Sequence, residues 1–310
     1  MSVFLVTGGA GFIGSNLVHE LVARGEAVRV LDNFSTGRRV NLEGVWSQIE
    51  VIEGDVQNAD VCRRAVAGVD FVLHQGAATS VQRSVGDPLC SHDTNATATL
   101  NLLMAAGDVG VRRFVLASSS SVYGDSPALP NEEELLPRPK SPYAISKLAA
   151  EHYCRIFYDL YGLETVSLRY FNVFGPRQDP ASPYSAVIPR FIKAMLAGRA
   201  PVIHGDGLQS RDFTYVSNNV NANLMATTAP GVSGGVFNIA CGKRWSLLEV
   251  VDCLNQILGT DLAPVFAPAR PGDVKHSLAD ISRAQARLGY RVTEDFRTGL
   301  AKTVEWYRVL

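Results

Sequence analysis

The sequence predicts an α/β protein built on a doubly wound parallel sheet, and three observations carry that expectation. Short β-branched runs alternate with stretches of helical period across residues 1–171. A glycine-spaced turn, TGGAGFIG at residues 7–14, directly follows the first run. An acidic residue, Asp32, closes the second. Strand–helix alternation favours parallel strands joined by right-handed crossovers.

The strand-like runs are Val3–Thr7, Ala27–Leu31, Glu50–Glu53, Phe71–His74, Arg113–Ser118 and Thr165–Arg169. Helical period marks Ile13–Arg24, Asp60–Ala67, Thr94–Val109 and Pro142–Tyr161. After Phe171 the rhythm changes. Residues Asn172–Pro183 are rich in Pro, Gly and Asn and read as a long functional loop. A helix is expected at Ala186–Ala197 and a short strand at Val202–His204. Ser246–Leu258, Ile281–Leu288 and Phe296–Arg308 also read as helices. The division expected is a nucleotide-binding unit over 1–171, with part of 205–245 returning to it. A smaller α/β substrate lobe over 172–310 caps the sheet's ligand-binding edge.

Composition bounds the function. The chain has 310 residues, 46% hydrophobic and 19% charged, with 29 Lys+Arg against 30 Asp+Glu. That is an ordinary globular mix with a sizeable core. The balanced charge argues against a nucleic-acid binder, while local positive charge could still hold an anion. The N-terminus reads as a first strand rather than a secretory leader, and the sequence has no apolar run long enough to span a membrane. Five widely spaced cysteines and six histidines without ligand spacing predict neither a disulfide framework nor a metal site. Buried thiols in a reducing cytoplasm are the expectation.

Glycines 8, 11 and 14 leave no side chain where the backbone must turn or approach a pyrophosphate. The following helix start offers free N–H groups and a positive dipole end. Asp32 can accept hydrogen bonds from an adenosine ribose and would repel a 2′-phosphate, so the motif favours NAD over NADP. Arg38 and Arg39 are the residues that would accommodate such a phosphate. Asp55 follows the third strand, placed either to approach the adenine or simply to form a turn.

Tyr143 and Lys147 stand at i and i+4 of one predicted helix. A nearby ammonium favours the phenolate, so the tyrosine can serve as a base near neutrality. The fifth strand runs into Ser118, Ser119, Ser120 and Ser121, at the sheet end where α/β ligands bind. These hydroxyls can meet a substrate alcohol or cap a turn.

Together these residues resemble the extended short-chain dehydrogenase/reductase family, in its nucleotide-sugar branch. The resemblance runs through TGGAGFIG, Asp32, HQGAA (74–78), SSVYGD (120–125), YAISK (143–147), LRYFNVFGPRQ (168–178), SRDFTYV (210–216) and RPGDVKHSLAD (270–280). It implies a Rossmann-like sheet, bound NAD and a uridine diphosphate sugar between the lobes. The family's 4,6-dehydratases carry an Asp-Glu pair before V-Y-G, and its UDP-glucuronate decarboxylases a Glu. Here Ser120 and Ser121 occupy those places, so the resemblance narrows to a 4-epimerase, with Ser119, Tyr143 and Lys147 catalytic. Among epimerases it is most similar to bacterial UDP-N-acetylglucosamine 4-epimerases, through FNVFGPRQDP, PYSAVIPRF (183–191) and GDVKHSLAD.

The resemblance implies cofactor contacts from Gly8, Gly11, Phe12, Ile13, Gly14, Asp32, Asn33, Ser35, Gly37, Asp55 and Val56. Gln75, Ala77, Asn95, Ser118, Tyr143, Lys147, Tyr170 and Val173 complete that set, the last two flanking the nicotinamide. It implies substrate contacts from Ser119, Ser120, Tyr143, Asn172, Ala186, Val187, Val202 and His204. Arg211 and Arg270 would hold the diphosphate and Asp273 the uridine ribose. Ser277 stands where some glucose-only epimerases carry a bulky tyrosine, which leaves room for an N-acetyl group. The choice among acetylated hexose, plain hexose and glucuronate stays open. Family members commonly pair through two helices per subunit, here Thr94–Val109 and Pro142–Tyr161, so a homodimer is expected.

Overall fold

In a computed structural model, which describes residues 1–126, 128–179, 186–269 and 275–309, the β-branched runs line up in one sheet. Its first six strands are β1 (Val3–Thr7), β2 (Ala27–Asp32), β3 (Ile49–Glu53), β4 (Phe71–His74), β5 (Arg113–Ser119) and β6 (Thr165–Tyr170). A seventh, Gly235–Ile239, joins at the edge beside β6. From that edge the order is Gly235–Ile239, β6, β5, β4, β1, β2, β3, and every pairing is parallel. The chain winds outward from β1 to β3, then returns to place β4 against the other side of β1. The order therefore reverses between β1 and β4, where Thr7 lies opposite His74. A doubly wound sheet opens its ligand crevice at such a switch point, beyond the strands' carboxyl ends.

Both faces of the sheet are covered, which is why its strands read as near-continuous apolar runs. One face packs Val6, Leu17, Leu21, Val30, Leu73 and Val115. The other packs Leu5, Leu31, Val72, Leu102, Phe114 and Leu116. The long Pro142–Tyr161 helix has its ends written in sequence. Ser141 caps it by accepting from the Ala144 N–H, Pro142 takes the first turn, and Gly162 ends it at φ 72°.

A third core gathers Phe174, Phe191, Phe213, Tyr215 and Phe296 under three helices, Val187–Leu196, Leu247–Leu258 and Phe296–Arg308. Short strand pairs stitch this region. Val173–Phe174 runs parallel to Thr214–Tyr215, and Val202–His204 parallel to Val265–Ala267. Ser210–Asp212 runs antiparallel to Arg244–Ser246.

Several elements depart from the sequence expectations. The predicted Thr94–Val109 helix is a π-turn at Asp93–Thr97 followed by an α-helix at Ala98–Asp108. The predicted Ile281–Leu288 helix contracts to a turn centred on Ala284–Leu288. The loop after Phe171 contains the short strand Val173–Phe174, and its residues 180–183 fall outside the described ones. The Val216–Thr228 helix was not expected. It buries Asn218, Asn219 and Asn223 and so lacks an apolar period. Among the described residues no helix is long and apolar enough to cross a membrane.

Candidate active site

The glycine turn leaves β1 at Thr7 and opens the Phe12–Ala23 helix. Two glycines are required by contact. Gly8 adopts φ +64°, and a Cβ there would lie 2.7 Å from the Gly76 backbone. A Cβ on Gly14 would sit 2.1 Å from the Gly8 carbonyl oxygen. The helix start has no side-chain cap and no acidic residue in its first turn, so its N–H groups face the crevice mouth with their dipole uncompensated.

Asp32 is buried at the end of β2, where burial pushes its carboxyl up and backbone hydrogen bonds from Phe34 and Ala10 pull it down. One oxygen accepts from the Ala10 N–H at 2.9 Å and the other from the Phe34 N–H at 2.8 Å. Each keeps a further lone pair for a ligand hydroxyl. A Cβ on Gly37 would come within 2.9 Å of both oxygens, so only glycine leaves that approach open. Asn33 donates to Asp55 at 2.7 Å and accepts from the Ser35 N–H and hydroxyl. Val56 is buried beside this cluster. Arg39 is engaged elsewhere, donating to Glu53 at 2.6 Å with its guanidinium over the Phe34 ring.

Across the crevice, Asn95 clamps the loop that holds Gln75 and Ala77. It accepts from the Ala78 N–H at 2.8 Å, donates to the Ala78 carbonyl at 3.1 Å, and reaches Ser146 at 3.0 Å. Tyr170 donates to Gln75 at 3.1 Å and accepts from Asn223 at 2.6 Å, and Gln75 also donates to Asn223. Asn223 is a member of this network that sequence reasoning missed.

Ser119, Tyr143 and Lys147 meet where β5 ends and the Pro142–Tyr161 helix begins. Tyr143 and Lys147 are both buried. Burial pushes the Tyr143 phenol up, and a hydrogen bond with Ser119 pulls it back. The expectation that Lys147 would depress this phenol is not what the geometry delivers. The ammonium instead donates to the Ala117 carbonyl at 2.9 Å. Burial brings Lys147 down to about 8, with Glu151 and then Cys154 opposing. Ser119 also accepts from the Ser121 N–H at 3.2 Å, so its hydroxyl caps the turn that begins at Ser120. Ser118 turns away from the crevice and donates to Glu151.

The second lobe presents a cleft to this end of the sheet. Asn172, Val173, Ala186, Val187, Val202, His204 and Arg211 line it together, although they come from four separate segments. Arg190, Gln209, Phe213 and Leu247 share the lining and were not singled out in the sequence. Arg190 and Phe213 fall within the PYSAVIPRF and SRDFTYV segments, which was the available signal. The Arg211 guanidinium donates to the carbonyls of Ser210 at 2.9 Å and Lys275 at 3.2 Å. Next to it Asp212 is fully buried. It accepts from the N–H groups of Cys241, Gly242 and Ala279 at 2.9, 3.0 and 3.3 Å. Burial raises its carboxyl to about 7, against those hydrogen bonds. Ser277 lies beside Ser210, its N–H bonded to the Ser210 carbonyl at 3.0 Å, and it is not among the cleft-lining residues. Arg270 and Asp273 lie outside the described residues. No group of histidine, cysteine or carboxylate side chains suited to a metal occurs among the described residues.

The NAD dependent epimerase/dehydratase family model matches residues 4–240. The chain belongs to this family. Among its relatives, the UDP-glucose 4-epimerase of Mycolicibacterium smegmatis is 39% identical over 98% of both chains. The UDP-N-acetylglucosamine 4-epimerase of Methanobrevibacter ruminantium, solved with UDP-N-acetylmuramic acid, superimposes with a TM-score of 0.95. It is 40% identical, over 99% of this chain and 98% of that one. The Thermus thermophilus UDP-glucose 4-epimerase, solved with NAD, gives a TM-score of 0.90 at 37% identity over 99% of each chain. The family cofactor, NAD, fits the residues present: a glycine cradle that any Cβ would fill, an uncapped helix start, and a buried carboxylate with spare acceptor capacity.

Proposed function

We propose that this NAD-dependent UDP-sugar 4-epimerase inverts C4 of a UDP-hexose, with UDP-N-acetylglucosamine and UDP-N-acetylgalactosamine as its preferred pair. The carrying observation is the bare triad at the end of β5. Ser119, Tyr143 and Lys147 converge there, and serines stand at positions 120 and 121 where dehydration or decarboxylation would call for a carboxylate.

Asp32, Asn33, Asp55 and the glycine turn hold the adenosine and pyrophosphate of NAD, while Tyr170 and Val173 border its nicotinamide. When bound, NAD supplies a hydride acceptor that returns the hydride to the opposite face of C4. Tyr143 takes the proton of the 4-hydroxyl and later restores it, while Ser119 hydrogen-bonds the same oxygen. Lys147 would bind the nicotinamide ribose, and its ammonium together with the positive nicotinamide would favour the Tyr143 phenolate once NAD is in place. Arg211 binds the diphosphate, with Arg270 as its second cation, because a guanidinium fork matches phosphate oxygens. The remaining cleft residues hold the uridine end, so the sugar itself can turn over between the two hydride transfers. We place the boundary between the cofactor unit and the substrate lobe at 171/172, with Gly235–Ile239 returned to the former.

Incubation with each UDP-sugar and resolution of the C4 isomers tests this reading. Epimers should form without net NADH. Stoichiometric NADH with a keto product would identify a dehydrogenase instead, and no turnover on any UDP-sugar would leave an NAD-binding sensor. UDP-glucose and UDP-glucuronate are the competing substrates. A Ser277→Tyr variant should lose turnover on the acetylated sugar selectively, and equal loss on acetylated and plain sugars would remove Ser277 from that choice. The homodimer reading rests on exposed Met104, Ile145, Ile156 and Leu160 on the two helices, and sedimentation checks it.

A further inference from the structure

One buried ion pair near the active site has no part in the mechanism above. Glu151 lies one turn beyond Lys147 on the same helix. It is held by Arg169 of β6 through two hydrogen bonds, at 3.0 and 2.7 Å, and both side chains are almost wholly inaccessible. Burying such a pair contributes little to stability against apolar residues of similar shape, so its retention points to another role. Two contacts aim it at the triad. Ser118, the neighbour of Ser119, donates its hydroxyl to Glu151. The backbone of the preceding residue, Ala117, receives the Lys147 ammonium at 2.9 Å. The pair therefore grips the end of β5 and the middle of the helix at once.

We propose that Glu151, oriented by Arg169, is a positioning residue that keeps Lys147 charged and aligned one helical turn from Tyr143. The inference rests on the catalytic reading of Tyr143 and Lys147. The groups facing Lys147 leave the task to Glu151. Within its own helix these are Glu151 and Cys154, and from β4 comes His74, kept neutral by burial. Arg169 stands behind Glu151, and its far side stacks on the Tyr123 ring at 4.7 Å. A buried ammonium without a facing carboxylate would shed its proton near neutrality. Glu151 is the anion that opposes this.

The pH dependence of kcat, measured with confirmed NAD content, tests the proposal in three variants. Glu151→Gln keeps the shape and removes the charge. Its alkaline limb should move about one pH unit lower, an approximately tenfold loss above that limb. Arg169→Gln leaves Glu151 unopposed and should move the same limb upward. The double variant removes both charges of the pair together and leaves neither partner buried alone, which guards against loss of folding, and its limb should move down by less than in Glu151→Gln. A merely structural pair would not give shifts of opposite sign. An unmoved limb in folded Glu151→Gln, a downward shift in Arg169→Gln, or an unmoved limb in the double variant would overturn the proposal. Failure of the underlying mechanism is separately visible, as undiminished turnover in Tyr143→Phe.

Discussion

The two sides of the active-site cleft are built differently. On the cofactor side, each feature comes from a short stretch of chain. Thr7–Gly14 makes the turn, the helix start follows at once, and Asp32 closes the next strand. On the substrate side, Asn172, Ala186, Val202 and Arg211 reach one cleft from separate segments, held by Asp212 and by pairings of two or three residues. The first side is set by local geometry. The second depends on long-range contacts. The difference teaches that a site assembled from neighbouring residues can be joined within one chain to a cleft assembled from distant segments.

The junction between the sides should be the most sensitive point. Tyr143→Phe is expected to lower turnover about a thousandfold while NAD remains bound, since it removes the base and nothing from the cradle. NAD content after denaturation, beside a C4-isomer assay, separates the two effects. Equal loss of both would mean that the sides are not independent.

Gly14→Ala attacks the local side. The added methyl meets the Gly8 carbonyl oxygen at 2.1 Å, and backbone cannot step aside cheaply. A loss of about 2–3 kcal/mol of stability in urea unfolding should accompany loss of NAD. Arg211→Ala attacks the distributed side. The substrate KM should rise about 10- to 100-fold, as for a lost charged hydrogen bond, with NAD binding unchanged. Steady-state kinetics with saturating NAD checks it. A changed NAD content would show that Arg211 supports both sides.

Counted per pH unit, the smallest effect concerns His74, between Thr7 at 2.6 Å and Thr99 at 3.0 Å beneath the glycine turn. Burial lowers this imidazole from 6.5 to about 3. The unfolded chain takes a proton that the folded chain refuses. This contribution is therefore fully present above pH 6.5 and lost as pH falls towards 3. Stability should drop by about 1.4 kcal/mol for each pH unit within that window. Urea titrations at several pH values check the slope, and His74→Gln should flatten it.

Legibility in the sequence followed the same division. The strands from β1 to β6 and the helix at Pro142–Tyr161 could be read because apolar period acts locally. The Val216–Thr228 helix escaped notice because it buries asparagines whose partners are far along the chain. Asn218 reaches Glu294, and Asn223 reaches Gln75 and Tyr170. The strand Gly235–Ile239 is masked by the glycines that lead into it. No local pattern sets Asp212 or Glu151 apart from other carboxylates of the chain. Only the fold shows that one gathers three distant amides and the other pairs with Arg169 behind Lys147.

The sequence by itself determined the parallel α/β sheet, the cofactor turn and the Tyr143–Lys147 pair, because each depends on spacing within a few residues. The tertiary structure alone decided which residues share the substrate cleft, that burial raises Tyr143, and where the Lys147 ammonium points. Those outcomes depend on how segments far apart in the chain exclude water and supply one another's hydrogen bonds, which no local pattern records.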